Sequence, residues 1–178
     1  MHEWVHGNTV FLSLGSNQGD RKRFLELATE LIGKRAGRVV GSSPLYETAP
    51  WGDFAEGEDL PFLNQALQVE TALAPEALLA VTQSIEQALG RVRAGDSDTR
   101  GASRLYEARP IDIDIIFYGS QVIDSPALTL PHPKMHLRRF VLQPLCDLVP
   151  QFVHPLFHKT LYQLSEECPD TSSLSCCS

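Results

Sequence analysis

An α+β fold, with helices packed on a mainly antiparallel sheet, is predicted by three observations. Short apolar segments of strand length recur along the chain, one of them alternating strictly with period two. Two longer segments carry apolar residues at helical spacing. Turn residues separate these segments, and their order reads β-α-β-β-α-β.

The first strand is the apolar run Val10-Phe11-Leu12-Ser13-Leu14. It runs into Gly15-Ser16-Asn17-Gln18-Gly19-Asp20, a turn rich in residues that tolerate unusual backbone angles. Asp20 is placed to cap a helix over about Arg21 to Lys34, where Phe24, Leu27, Ala28, Leu31 and Ile32 keep helical spacing. Gly33 and Gly37 bracket its end. A second strand is expected over Val39 to Glu47 and a third over Asn64 to Thr71, with a mobile loop from Ala49 to Pro61 between them. Pro75 opens a second helix carrying Leu78, Leu79, Val81, Thr82, Ile85, Glu86 and Leu89, and Gly90 is expected to stop it. A second loop runs from Arg93 to Arg104. The alternating strand follows and ends at Tyr118-Gly119, and Gln121-Val122-Ile123 offers a short hairpin strand. Leu128 to Pro133 is a Pro-bounded connection. A last helix falls within Arg138 to Leu148, with Pro144 tolerated only near its first turn. This order is that of the split βαβ, ferredoxin-like arrangement.

The 178 residues fit one domain, expected over residues 8–167, with residues 168–178 a small, polar, disordered tail. The start, Met1-His2-Glu3-Trp4, lacks the basic and apolar regions of a signal peptide, and no apolar run has the length of a membrane span. Cytoplasmic residence without a membrane partner is the expectation. Formal net charge is −7, which argues against general nucleic-acid binding. Within that acidic chain Arg91, Arg93, Arg100, Arg104 and Arg109 cluster, which points to a small anionic ligand. The cysteines form no C-x-x-C pair or Cys/His cluster of zinc spacing. No obligate protein partner is evident.

The most informative segment is Arg109-Pro110-Ile111-Asp112-Ile113-Asp114-Ile115-Ile116. On a strand, residues two apart share a face, so Asp112 and Asp114 project together, opposite Ile111, Ile113 and Ile115. Two adjacent carboxylates repel unless a cation sits between them, and Mg²⁺ with its oxygen ligands suits that gap. Such ions act on phosphates, and Arg109 is placed to grip a phosphate oxygen. A solvated acidic face is the other reading. Gly15-Ser16-Asn17-Gln18-Gly19 is an ordinary strand-to-helix turn in composition, and the phosphate loop G-x-x-x-x-G-K-[ST] is absent. Arg91 and Arg93 also suit a solvated helix end, and His132 between prolines reads as structural or as a phosphate donor. Phe62 and Phe140 read as core aromatics or as the two faces of a sandwich for a flat heterocycle, whose edge Asn64 would bond.

Taken together, six ordered segments resemble the 6-hydroxymethyl-7,8-dihydropterin pyrophosphokinase family. They are Leu14-Gly15-Ser16-Asn17 with Gly19-Asp20, Ser43-Pro44-Leu45-Tyr46-Glu47-Thr48, and Phe62-Leu63-Asn64-Gln65. Glu86 with Gly90-Arg91-Val92-Arg93 follows, then Arg109-Pro110-Ile111-Asp112-Ile113-Asp114. Last come Leu130-Pro131-His132-Pro133 with Met135, Arg138 and Phe140. The resemblance implies transfer of pyrophosphate from ATP to the hydroxymethyl group of the pterin, with AMP leaving. It implies two Mg²⁺ ions on Asp112 and Asp114, with Arg91 and Arg109 the strongest charge stabilisers. The ATP side would comprise Gln83, Arg91, Arg93, Arg109, Ile111, His132 and Arg138, with Glu86 beside it. The pterin side would comprise Thr48, Pro50, Trp51, Phe62, Asn64, Asp112 and Phe140. The two loops would close over ATP, and either Arg100 or Arg104 would meet it. A nucleotidyltransferase would keep the metal but release pyrophosphate. A non-catalytic RNA-binding module is a third reading, and the acidic net charge argues against it.

Overall fold

In the computed structural model, which describes residues 7–49, 61–94 and 110–177 (without the side chains of 91–94), the first apolar run lies inside the sheet, between two antiparallel neighbours. It forms β1, Asn8–Ser16, whose Val10, Leu12 and Leu14 are wholly buried. On one side β1 pairs antiparallel with β4, Phe62–Thr71, and on the other with β5, Asp112–Tyr118. The expected second strand is two strands, β2 (Arg38–Ser42) and β3 (Leu45–Thr48), both antiparallel to β4. Pro44 lacks the N–H that a continuous ladder would need. Ser43 patches the break: its N–H donates to Ala66 O and its Oγ accepts from Ala66 N, each at 2.9 Å. The order β5-β1-β4, with β2 and β3 beside β4, is that of a ferredoxin-like βαββαβ sheet.

Two helices cover one face. α1, Arg21–Arg35, starts where Asp20 accepts the Arg23 N–H at 3.1 Å, after a left-handed Gly19 with φ of 61°. It buries Leu25, Ala28 and Ile32 against β1 and β4, with Phe24, Leu27 and Leu31 half covered. Gly33 sits inside this helix rather than ending it. α2, Pro75–Ala94, opens on Pro75 and adds Leu78, Ile85 and Leu89 to the same core. It runs through Gly90, which was expected to stop it; one glycine costs a helix only about 1 kcal/mol, and Ile85 and Leu89 are anchored just before it.

The other face is covered over part of its length. α3, Arg139–Leu148, and α4, Leu161–Glu167, pack on Phe11, Ala66, Ile116 and Phe117. Pro144 lies well inside α3, contrary to expectation. It removes one hydrogen bond, but it is buried with Val141, Leu142 and Leu145, and that packing holds the turn. α4 was not anticipated; Thr160 and Gln163 close a capping box at its start. Two short strands, β6 (Ile123–Asp124) and β7 (Thr129–Leu130), pair with each other. A 3₁₀ turn, Met135–Leu137, leads into α3.

The expected disordered tail is corrected at its end. Leu174–Cys177 forms β8, antiparallel to β3. Without it β3 would be an edge strand with unpaired backbone groups, which any extended segment can satisfy.

Candidate active site

Strand pairing sets the site. Asp112 on β5 lies opposite Gly15 on β1, which lies opposite Asn64 on β4, which lies opposite Tyr46 on β3. One step along the same face, Asp114 lies opposite Ser13 and Ser13 opposite Ala66. Phe62 and Thr48 pair at the next position on β4 and β3. Cross-strand neighbours share a face, so all these side chains point to one side. Further along β5 that face carries Ile116, covered by α3 and α4, while among the described residues the carboxylate end stays open.

That open end is a pocket of about 160 Å³. Ser13 and Gly15 belong to its floor, and Asp112 and Asp114 form one wall. Thr48, Ala49, Phe62 and Asn64 form the facing wall. Arg138 and Phe140, from the start of α3, complete it, with the Arg138 guanidinium carbon 5.9 Å from the Phe140 ring centre. Asn64 is buried, and its Nδ2 donates to Thr48 Oγ1 at 3.0 Å. Its Oδ1 therefore turns over Gly15, where an added Cβ would meet it at 3.2 Å. Beneath the floor Arg21 bonds Pro61 O and Glu47 Oε2, each at 2.8 Å, and so ties α1 to the chain just before Phe62 and Thr48.

Asp112 and Asp114 are exposed, and Ile111, Ile113 and Ile115 behind them are buried. Buried Glu86 of α2 reaches the same strand from the other face, where its Oε2 accepts the Ile113 N–H at 3.4 Å. Among the described residues no three or more His, Cys, Asp or Glu side chains gather into an all-protein metal cage. A pair of carboxylates on one strand face is the kind of oxygen donor set that suits a Mg²⁺ ion shared with phosphates and water. His132 Nδ1 accepts the Lys134 N–H at 3.2 Å. Burial holds the His132 pKa below its ordinary value, against the pull of the Asp114 charge. The imidazole is therefore neutral at pH 7 and carries its proton on Nε2, a donor for an anion.

The structure thus brings Thr48, Phe62, Asn64, Asp112, Asp114, Arg138 and Phe140 to one pocket. Ile111 is different: its side chain is fully buried in the core, which leaves only its backbone to face a ligand. Gln83 is exposed on α2. Arg91 and Arg93 lie on the last turn of α2, but their side chains are outside the described residues, as are Pro50, Trp51, Arg100, Arg104 and Arg109 altogether. Both expected loop closures fall there too. Ser13 and Gly15 line the pocket without being expected there, and so does Ala49, within the Thr48 to Trp51 stretch whose backbone the family resemblance assigns to polar contacts.

Residues 11–150 match the family model for 7,8-dihydro-6-hydroxymethylpterin-pyrophosphokinase. A 2-amino-4-hydroxy-6-hydroxymethyldihydropteridine pyrophosphokinase of Porphyromonas gingivalis is 43% identical over 147 residues, which are 82% of this chain and 93% of that one. The protein of the same name in Methylorubrum extorquens is 41% identical over 145 residues, 81% of this chain and 84% of that one. A folic acid synthesis protein of Schizosaccharomyces pombe is 38% identical over 170 residues, which are 94% of this chain but 21% of that much longer one. Among solved structures, wild-type HPPK-DHPS of Plasmodium falciparum with SDX-DHP superposes with a TM-score of 0.71 at 18% identity. That match covers 93% of this chain and 45% of the other, and it is a likeness of fold.

Proposed function

The chain belongs to the 7,8-dihydro-6-hydroxymethylpterin-pyrophosphokinase family, and from that premise we infer that it transfers pyrophosphate from ATP to the hydroxymethyl group of 6-hydroxymethyl-7,8-dihydropterin, an activity of folate synthesis. The observation that carries the assignment of residues is the single pocket that holds the aspartate pair together with Phe62, Asn64 and Phe140.

Phe62 and Phe140 offer apolar faces for a flat ring. Asn64, held by Thr48, presents its Oδ1 to the ring's N–H edge. A site built to bond such an edge rejects rings that lack it, because its own buried polar groups would be left unpaired. The ring so held puts its hydroxymethyl arm toward Asp112 and Asp114. These two carboxylates would hold Mg²⁺, two ions in our reading, which supplies the positive charge that lets ATP phosphates approach a nucleophilic hydroxyl. Arg138, on the pocket wall, adds a donor there, and His132, Arg91, Arg93, Arg109 and Gln83 are assigned to the nucleotide through the family resemblance. Arg91 and Arg109 are assigned the charge that grows on the transferred group.

Product analysis tests the reaction. ATP, the reduced pterin and Mg²⁺ are expected to yield AMP; ADP in its place, or released pyrophosphate, would overturn the reading. Asp112→Ala and Asp114→Ala are each expected to lower kcat by about a thousandfold or more with the fold retained. Near-normal turnover in either would refute the metal assignment.

A further inference from the structure

The 169–177 segment lies beyond residues 11–150, the stretch that the family model matches, and no step above uses it. Its hydrogen bonds nonetheless end on Arg139, which stands between two pocket residues, and on β3, which carries a third. α3 follows Arg138, whose side chain makes no capping bond. Asp170 supplies the missing acceptor: its Oδ2 takes the Arg139 backbone N–H at 3.0 Å. Arg139 Nη1 in turn donates to Ser172 O at 3.0 Å. The Ser172 N–H donates to Asp170 Oδ1 at 2.9 Å, and the Ser172 hydroxyl donates to the same oxygen. Burial alone would raise the Asp170 pKa, but these bonds and the Arg139 charge hold it below the ordinary carboxylate value. An ionised carboxylate at the start of a helix also meets the positive end of its dipole.

The residues on either side of Arg139 are Arg138 and Phe140, both on the pocket wall. Shortly beyond Ser172, β8 pairs with β3, Leu174 opposite Thr48 and Cys176 opposite Tyr46. Thr48 is the residue that holds Asn64. One short segment therefore braces two walls of one pocket.

We propose that residues 169–177 are a positioning element for the pterin: Asp170 fixes the first turn of α3 and with it the Phe140 face, while β8 holds β3 and with it Thr48 and Asn64. The proposal rests on assigning Phe140 and Asn64 to the pterin. Asp170 touches neither substrate and acts through Arg139. An uncapped first turn frays, and a ring displaced by about 1 Å no longer stacks well.

The test is steady-state kinetics on full-length variants at saturating ATP and Mg²⁺. Asp170→Ala is expected to raise KM for the reduced pterin about fivefold, with kcat within about twofold of wild type. Asp170→Asn keeps an oxygen for the Arg139 N–H and is expected to recover most of that loss. Ser172→Ala, a milder lesion of the same network, is expected to raise KM about twofold and covers the case in which Asp170→Ala does not fold. Ile32→Val, in α1 on the opposite face, serves as the control that lowers Tm without moving KM. An Asp170→Ala variant with lowered Tm and unchanged pterin KM, or an Asp170→Asn variant as impaired as Asp170→Ala, overturns the proposal. Phe140→Ala, run alongside, separates the two failures: an unchanged pterin KM there overturns the pterin assignment itself.

Discussion

At position 15 a side chain would stand in the pocket proposed for the pterin ring. A Cβ there would lie 3.2 Å from Asn64 Oδ1 and 3.7 Å from Phe62 Cδ1. Gly15→Ala is therefore expected to push Asn64 by a few tenths of an ångström and to raise KM for the pterin about tenfold, with Tm nearly unchanged; kinetics and a thermal melt on the same preparation check it. A pterin KM equal to wild type would show that the floor of the pocket has room to spare. The Asp112 and Asp114 side chains were legible in the sequence because period two places them on one face whatever surrounds the strand. The hold of Thr48 on Asn64 was not legible as a contact, since it depends on the register between β3 and β4. Ser13 gave no signal, and Gly15 was legible as part of a turn motif but not as pocket floor: both serve the pocket by lacking bulk, which no pattern announces.

Among the elements, the two glycines near the end of α1 separate what pattern reading sees from what packing decides. Both looked like helix terminators, yet Gly33 is inside the helix with nothing within 4 Å of an added Cβ, while a Cβ on Gly37 would lie 2.2 Å from the Glu70 carbonyl oxygen. Gly33→Ala is expected to stabilise by roughly 0.5–1 kcal/mol, because alanine loses less backbone freedom in a helix. Gly37→Ala is expected to destabilise by roughly 2–3 kcal/mol, because backbone of β4 must move aside. Thermal melts of the two variants should move in opposite directions, and a shift of the same sign in both would contradict the packing of α1 against β4. The break between β2 and β3 was written in Pro44, but the apolar runs on both sides concealed it. β8 could not be read from its own sequence, because Leu174-Ser175-Cys176-Cys177 has no alternation to mark it and the strand exists through the vacant edge of β3.

The whole molecule is asymmetric: α1 and α2 cover one face of the sheet, while α3 and α4 cover the other only beyond the carboxylate end. The fold class followed from the order of elements, whereas the extent of this second cover did not, because α4 and the turn before it were not recognised. That turn holds His154, which is buried and whose Nδ1 accepts the N–H groups of Leu156 and Phe157, both at 3.1 Å. Its ring stacks on Phe157 at 4.1 Å between centres and meets Phe117 edge-on at 5.4 Å, so it belongs to the packing on the α3 and α4 side of the sheet. A proton on Nδ1 would face two donors in an apolar setting. Burial first, and then the neighbouring His136 and His158, push its pKa down to about 4. In the unfolded chain a histidine titrates near 6.5, so between about 6.5 and 4 the unfolded state binds more protons than the folded one. Stability is thus fully present above that window and is lost as pH falls through it, by roughly 3 kcal/mol from this one group. His154→Asn keeps an oxygen acceptor for both N–H groups but cannot be protonated. Denaturant unfolding at pH 7 and pH 4 is therefore expected to show a smaller acid loss in the variant than in the wild type, and equal losses in the two would place the acid sensitivity elsewhere in the fold.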